Sequence, residues 1–258
     1  MRNILDFHTH VFPDNVEEKA VSFLEDYYHI PIKNKATINE LDKSMNKAGV
    51  TKAVIHATAT KSSQVRNINN WISTLISDKY IGFGSIHPEY ENINEELERM
   101  KDLGLKGVKL HPDFQHYYID EDKMCNVYDK IGGKFPILIH MGDENTDYSR
   151  PKRLSNVLKM FPNVTFIAAH LGGYSKWDEV MTSLVGKNLY FDTSSALWAL
   201  DAHVATEIIY KHGVEKILFG TDYPIMSHED ELKLFMKLKL NEEDRVKILW
   251  KNGMKIFE

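Results

Sequence analysis

Eight short apolar runs rich in β-forming residues recur along this chain, with amphipathic stretches between them, and that alternation limits the folds open to it. The runs are Ile4–His8, Ala53–Ala57, Ile81–Ile86, Gly107–His111, Ile137–His140, Val164–His170, Leu189–Asp192 and Ile217–Thr221. The stretches Ile38–Ala48, Ile93–Leu103, Lys123–Ile131 and Arg153–Met160 carry apolar residues at helical spacing, as in Leu97, Met100 and Leu103. Strands alternating with helices imply a parallel sheet, and eight such units close naturally into a (β/α)8 TIM barrel. A doubly wound open sheet is the alternative, but no GxGxxG follows the first strand. The 258 residues match the roughly 250 that one barrel needs, so a single domain over 1–258 is expected.

Local signals mark the boundaries. Gly49 and Gly104 follow helical patterns, where a glycine can take a left-handed cap, while Pro88, Pro112 and Pro224 each stop a strand. The segment Asn241–Phe257 begins with an Asn cap and an acidic turn, then repeats Val246, Leu249 and Trp250 toward a core.

Composition removes several function classes. The net charge of −5, from 32 basic and 37 acidic residues spread along the chain, leaves no basic footprint for nucleic acid. No apolar run approaches the ~20 residues of a membrane span, and the chain opens on a strand pattern rather than a signal peptide. The single cysteine, Cys125, has no CxxC or nucleophile signature around it and reads as a half-buried helix residue. A cytoplasmic protein is expected, acting on a small-molecule substrate, with a homo-oligomer compatible with all of this.

The chemistry-bearing residues collect where the strands end, the barrel face on which active sites are built. His8 and His10 close the first strand, and residues i and i+2 of a strand face the same way. His140 ends the fifth strand, His170 the sixth, and Asp222 the eighth. A closed barrel brings strand ends together, and burying five such side chains unpaired would cost several kcal/mol. A shared divalent metal ion is the economical account.

This order of residues resembles the amidohydrolase superfamily, and its details resemble amidohydrolase-related family 2, the branch containing aminocarboxymuconate-semialdehyde decarboxylase. The matching segments are Asp6-Phe7-His8-Thr9-His10, Gly107 to Pro112, Ala169-His170-Leu171-Gly172-Gly173 and Phe219 to Pro224, so the likeness spans nearly the whole chain. It implies that His8, His10, His140 and Asp222 hold the ion, with Asp222 also the general base. It implies for His170 a polarising or acid/base role in a one-metal site, or a ligand role in a two-metal site. Three imidazoles, one carboxylate and an open position suit zinc, with manganese the alternative in decarboxylating relatives. Such an ion can lower the pKa of bound water from about 16 to near 7.

The remaining candidates concern the substrate. Lys109 and His111 share one face of the fourth strand. In two-metal relatives a carboxylated lysine occupies about the place of Lys109, but the neighbouring His111 and Pro112 resemble the one-metal branch. Lys109 is therefore read as a cation that pairs with a substrate carboxylate. Arg150, in the polar loop after the fifth strand, is a further candidate clamp, with a solvated arginine as the plainer reading. Trp177, Trp198 and Tyr223 are aromatic candidates for the pocket wall or the core. Gly172 and Gly173 serve either close packing beside His170 or a tight turn, and Thr221 caps a strand. His56, His87 and His116 are expected to be surface or hydrogen-bonded histidines. The expected activity is metal-dependent hydrolysis of a small carbonyl, amide, lactone or ester. The alternative is non-oxidative decarboxylation of a small unsaturated or aromatic acid, in which the ion binds substrate oxygens and no water is consumed.

Overall fold

Eight parallel strands, each hydrogen-bonded to its neighbour in chain order, form the centre of the computed structural model, which describes residues 3–258. β1 (Leu5–His10) leads to α1 (Asp14–Tyr28) and α2 (Ile38–Ala48), β2 (Lys52–His56) to α3 (Val65–Ser73), and β3 (Tyr80–Ser85) to α4 (Ile93–Asp102). β4 (Gly107–Leu110) is followed by the short α5 (Pro112–Gln115) and by α6 (Asp122–Ile131), and β5 (Ile137–Ile139) by α7 (Pro151–Met160). Then come β6 (Phe166–Ala168), α8 (Trp177–Ser183), β7 (Tyr190–Asp192), α9 (Ala202–His212), β8 (Ile217–Leu218), α10 (His228–Phe235) and a C-terminal helical segment. Among the described residues no helix is long and apolar enough to cross a membrane.

The helices form where the sequence marks them. In α2, Thr37 accepts a hydrogen bond from the Glu40 amide, Leu41 and Met45 are buried one turn apart, and Gly49 ends the helix at φ 71°. The C-terminal segment starts at Asn241, whose side chain accepts from the Asp244 amide at 2.9 Å. The expected single helix widens into a π turn over Lys247–Lys251, which frees the Ile248 carbonyl to accept the Phe219 amide at 3.1 Å.

Side chains from opposite strands fill the barrel: Leu5 and Phe7, Val54, Phe83, Leu138, Ile167 and Leu218 pack together in its interior. Phe257 plugs the lower end, stacked on Phe7 at 5.5 Å and edge-on to Phe83 at 6.2 Å. The barrel closes where Phe219 accepts from the Phe7 amide (2.8 Å), His8 accepts from the Asp222 amide (2.9 Å), and Tyr223 accepts from the His10 amide (2.7 Å).

Two features of the strands matter for the site. Strict alternation would turn His8 outward if Phe7 points in, yet both are interior. The register of β1 against β2 shifts between Asp6 and Thr9, and this bulge turns His8 and His10 into the barrel. Strands six and eight also stop sooner than expected. His170 (φ 62°) and Asp222 (φ 59°) have left-handed backbone that cannot continue a ladder. The His170 amide instead donates to Asp192 Oδ1 at 3.1 Å.

Gly142, just after β5, combines φ 76° with a tight approach: a Cβ there would lie 2.6 Å from the backbone of Gly173. Gly142→Ala is therefore expected to cost roughly 1–3 kcal/mol of stability, from backbone strain and overpacking together. Urea unfolding at constant slope measures it, and an unchanged midpoint would show that the loop yields freely.

Candidate metal centre and substrate cavity

The site is built from the β1 bulge outward. His8 is completely buried, and its Nδ1 lies 2.9 Å from Asp192 Oδ2 at the end of β7. Donation from Nδ1 to that carboxylate leaves the Nε2 lone pair facing the barrel axis. Burial alone would raise the Asp192 carboxyl, but His8 beside it, His170 and the Ser194 hydroxyl hold it below its ordinary value. Ser194 Oγ also stands 3.0 Å from Nδ1 of both His8 and His170.

On the other side of His8, three donor atoms meet. His8 Nε2 and His10 Nε2 are 3.2 Å apart, and Asp222 Oδ1 is 3.3 Å from the first and 3.1 Å from the second. A tetrahedral ion with nitrogen and oxygen ligands at 2.0–2.1 Å sets its donors about 3.3 Å apart, so the spacing of this triangle fits such an ion once Lys109 Nζ, 2.9 Å from His8 Nε2, is displaced from that lone pair. The protonation states fit as well. Desolvation lowers His10 to about 4, leaving a neutral imidazole near neutral pH. Burial would raise Asp222, but His8, the hydrogen bond from His10 and nearby His170 outweigh it and keep the carboxyl well below its usual range. Its second oxygen accepts from Ser195 Oγ at 2.7 Å, which fixes the plane of the carboxylate.

His140 and His170 form the adjoining part. His140 Nδ1 and His170 Nε2 are 2.9 Å apart, and His170 Nδ1 donates to the Ser194 carbonyl at 2.9 Å. His140 thus meets His170 directly, while His170 Nδ1 stands 4.0 Å from Asp222 Oδ2. His140 stacks on His111, ring centres 4.0 Å apart, and His111 stacks in turn on Phe114 at 3.8 Å. His140 Nε2 is buried and unpartnered, 3.8 Å from Asp143 Oδ2 and 3.9 Å from Asp113 Oδ2, which are themselves unpartnered. Desolvation raises the Asp113 carboxyl to about 6.

The substrate candidates separate. Lys109 is completely buried, does not border the cavity, and brings Nζ to 2.9 Å from His8 Nε2. Desolvation lowers it to about 8, partly offset by Asp222 and Asp192. His111 does border the cavity, with Nε2 3.3 Å from the Tyr28 hydroxyl. Arg150 points away: it donates to Glu179 Oε2 at 2.6 and 3.0 Å and to Asp147 at 3.0 Å. Trp177 donates from Nε1 to the His170 carbonyl at 3.0 Å, and Tyr223 donates to the Lys35 carbonyl at 2.6 Å, both structural contacts. Trp198 is largely exposed, and Cys125 is half-buried on α6. Gly172 and Gly173 make both a tight turn and a close contact, with Phe191 and Val180 against them. Thr221 caps the strand end, accepting the Tyr223 amide at 3.1 Å, and also ties strands together by donating to Asp6 Oδ2 at 2.6 Å. His87 accepts from the Glu89 amide and His116 is exposed, but His56 is buried with both ring nitrogens unpartnered, against expectation.

A cavity of about 550 Å³ opens above these groups, with His10, His140 and Asp222 at its floor. Its walls are mainly apolar: Phe12 from the loop after β1, Phe23 and Leu24 from α1, Ile68 and Trp71 from α3, and Phe114. Lys19 of α1 is the cation on this lining. Sequence reasoning missed Asp192, Ser194, Tyr28 and the whole of α1, because their roles depend on what stands across the barrel rather than on their neighbours in the chain.

Comparison with known proteins agrees with this architecture. The family model described as amidohydrolase matches residues 5–258. Among solved structures, 5-carboxyvanillate decarboxylase from Sphingomonas paucimobilis superposes with a TM-score of 0.78 at 15% identity, covering 100% of this chain and 99% of that one. A dihydroxybenzoic acid decarboxylase from a Polaromonas species, solved with manganese and the inhibitor 2-nitroresorcinol, gives 0.77 at 17% identity, with 100% and 97% covered. A probable 2-pyrone-4,6-dicarboxylic acid hydrolase from Acinetobacter baumannii, with citric acid bound, gives 0.73 at 18% identity, with 99% of each covered. No curated protein matches the sequence.

The contact between His8 and Asp192 generates a prediction. Asp192→Asn keeps the shape but removes the charge that orients His8, so metal affinity should fall about 10–100-fold. Chelator competition measures this, and an unchanged dissociation constant would remove Asp192 from the support of the site.

Proposed function

This chain belongs to the amidohydrolase family, and from that premise we propose that it is a metal-dependent, non-oxidative decarboxylase of a small aromatic or unsaturated acid. The observation that carries the proposal is the cavity: apolar and aromatic walls lead down to a floor of imidazoles and a carboxylate. A flat, unsaturated ring suits such walls, and its polar substituents belong at the floor. The decarboxylases with similar folds support the reading through the substrate types in their names.

In this reading His8, His10, Asp222 and His140 hold a divalent ion, with His170 beside them. When bound, the ion supplies Lewis acidity, polarising the substrate oxygens it touches. Nitrogen-rich donors suit zinc, and manganese is the ion named with the Polaromonas enzyme. The residues of the chain do the rest. Asp192 and Ser194 orient His8, Ser195 orients Asp222, and the apolar walls limit water around the ring. As the bond between ring carbon and carboxylate breaks, its electron pair stays on the ring and takes a proton, and CO2 leaves. Asp222, on the cavity floor, and His170, 4.0 Å from it, are the groups placed to relay that proton, which an acidic hydroxyl of the substrate or solvent supplies. Lys109 sets its amine against His8 under the floor, and Lys19 stands at the cavity wall where an anionic substituent would meet it.

Hydrolysis is the second reading. Asp222 stands beside two imidazole ligands and could take a proton from an attacking water, and the similar fold named as a hydrolase supports this.

One experiment separates the two. Metal-loaded protein is incubated with hydroxylated benzoates, unsaturated acids and lactones, and released CO2 is scored apart from hydrolysis products. CO2 in one-to-one yield with the decarboxylated product is expected; hydrolysis product without CO2 would establish the second reading. Full turnover in excess chelator would sink both. Asp222→Asn is expected to lower turnover by roughly 10²–10⁴-fold at matched metal occupancy, and near-normal rates would place the proton elsewhere.

A further inference from the structure

His56 ends β2 and is completely buried, yet neither of its ring nitrogens has a hydrogen-bond partner. A buried polar group without a partner is costly, and an imidazole has two positions to satisfy. Most buried histidines here meet that demand: His8 on Asp192, His170 on Ser194, and His212 on the Leu189 carbonyl at 2.9 Å. An aliphatic residue would fill the place of His56 at less cost, so its partner must come from something the chain binds.

Two neighbours indicate what that is. The His56 ring stands edge-on to His10, centres 4.5 Å apart at 86°, and 5.0 Å from the ring of His8. One ligand nitrogen from each of the three lies within 4.8 Å of the others. Substrate is not the partner, because the cavity touches Ala57 and Thr58 but not His56. Donors sharing a tetrahedral ion at 2.0–2.1 Å stand about 3.3 Å apart, so a movement of up to about 1.5 Å, within reach of a side-chain rotation of His56, would close the set.

We propose that His56 is a further ligand of the metal centre, offering an imidazole nitrogen from β2 to the ion held by His8, His10 and Asp222. The proposal rests on the metal centre described above but not on the reaction assigned to it. A third imidazole on this side of the ion biases the site toward zinc, cobalt or nickel and away from magnesium and calcium.

His56→Leu tests this, because the two effects of the substitution have opposite signs. The metal-free variant should unfold at the same temperature as its parent or higher, since two unsatisfied nitrogens are gone. Its zinc affinity, read by chelator competition, should nevertheless be at least about tenfold weaker, the lower end of what even an indirect partner of a ligand contributes. The visible absorption band of the cobalt(II)-loaded protein should also change, because it reports the number and kind of ligands. Unchanged affinity with an unchanged cobalt band would overturn the proposal and make His56 a core residue. Should His56→Leu fail to fold, His56→Gln takes its place with the same two readouts. Neither readout needs turnover: a protein that binds cobalt through His56 but releases no CO2 would refute the decarboxylase reading alone. A parent protein that binds no ion would overturn the ligand proposal directly.

Discussion

The buried carboxylate of Asp6 is the interaction on which the rest of this barrel depends. It is fully removed from solvent and lies at the seam where the first and eighth strands meet. Oδ1 accepts the amides of His8 (2.9 Å) and Thr221 (3.2 Å), and Oδ2 accepts the Thr221 hydroxyl, with His228 Nε2 3.2 Å away. A buried carboxyl group without partners would be costly, and here its oxygens are taken up by hydrogen bonds from both sides of the seam. The same bonds hold the β1 bulge, so closing the barrel and turning His8 and His10 inward are one event.

From that seam the polar interior extends as a connected network. His8 reaches Asp192, Asp192 accepts from Ser194 and from the His170 amide, and His170 reaches His140. In a medium of low dielectric these contacts strengthen one another, and any member left unpaired is correspondingly costly. Burial lowers His10 and His170 to about 4, while neighbouring histidines, together with the Ser194 hydroxyl at Asp192, hold the Asp192 and Asp222 carboxyls below their ordinary value against burial. Lone pairs and negative charge therefore face one point before any ligand arrives, the preorganisation a metal site needs. Strain accompanies it: His170, Ser195 and Asp222 all have left-handed backbone at the ends of successive strands. The barrel below, packed around Phe7, Phe83 and Phe257, is the rigid base that holds these conformations.

The strand-end histidines and Asp222 were visible in the sequence because a parallel barrel puts the ends of its strands on one face. That rule needs no knowledge of contacts. His56 obeys it too, as the last residue of β2, but a lone histidine in an apolar strand carries no signal that separates it from an ordinary core residue. Lys109 shows the limit differently. Alternation placed it on the inner face of β4 with His111, yet its ammonium group lies under the floor against His8, and His111 alone reaches the cavity. Arg150 was read from a polar loop, and the loop folds so that Glu179 on α8 takes its guanidinium.

The sequence by itself determined the number of strands, their alternation with helices, and the strand-end positions of the candidate histidines and Asp222, because periodicity and strand-end position are local properties of the chain. Tertiary structure alone decided which atoms meet. The bulge that reverses the facing of His8, the choice of Asp192 to orient it, and the cavity wall built by α1 all depend on distances across the barrel. Those distances follow from strand shear and closure, which join residues as far apart as Asp6 and Thr221, and no local pattern in the chain records them.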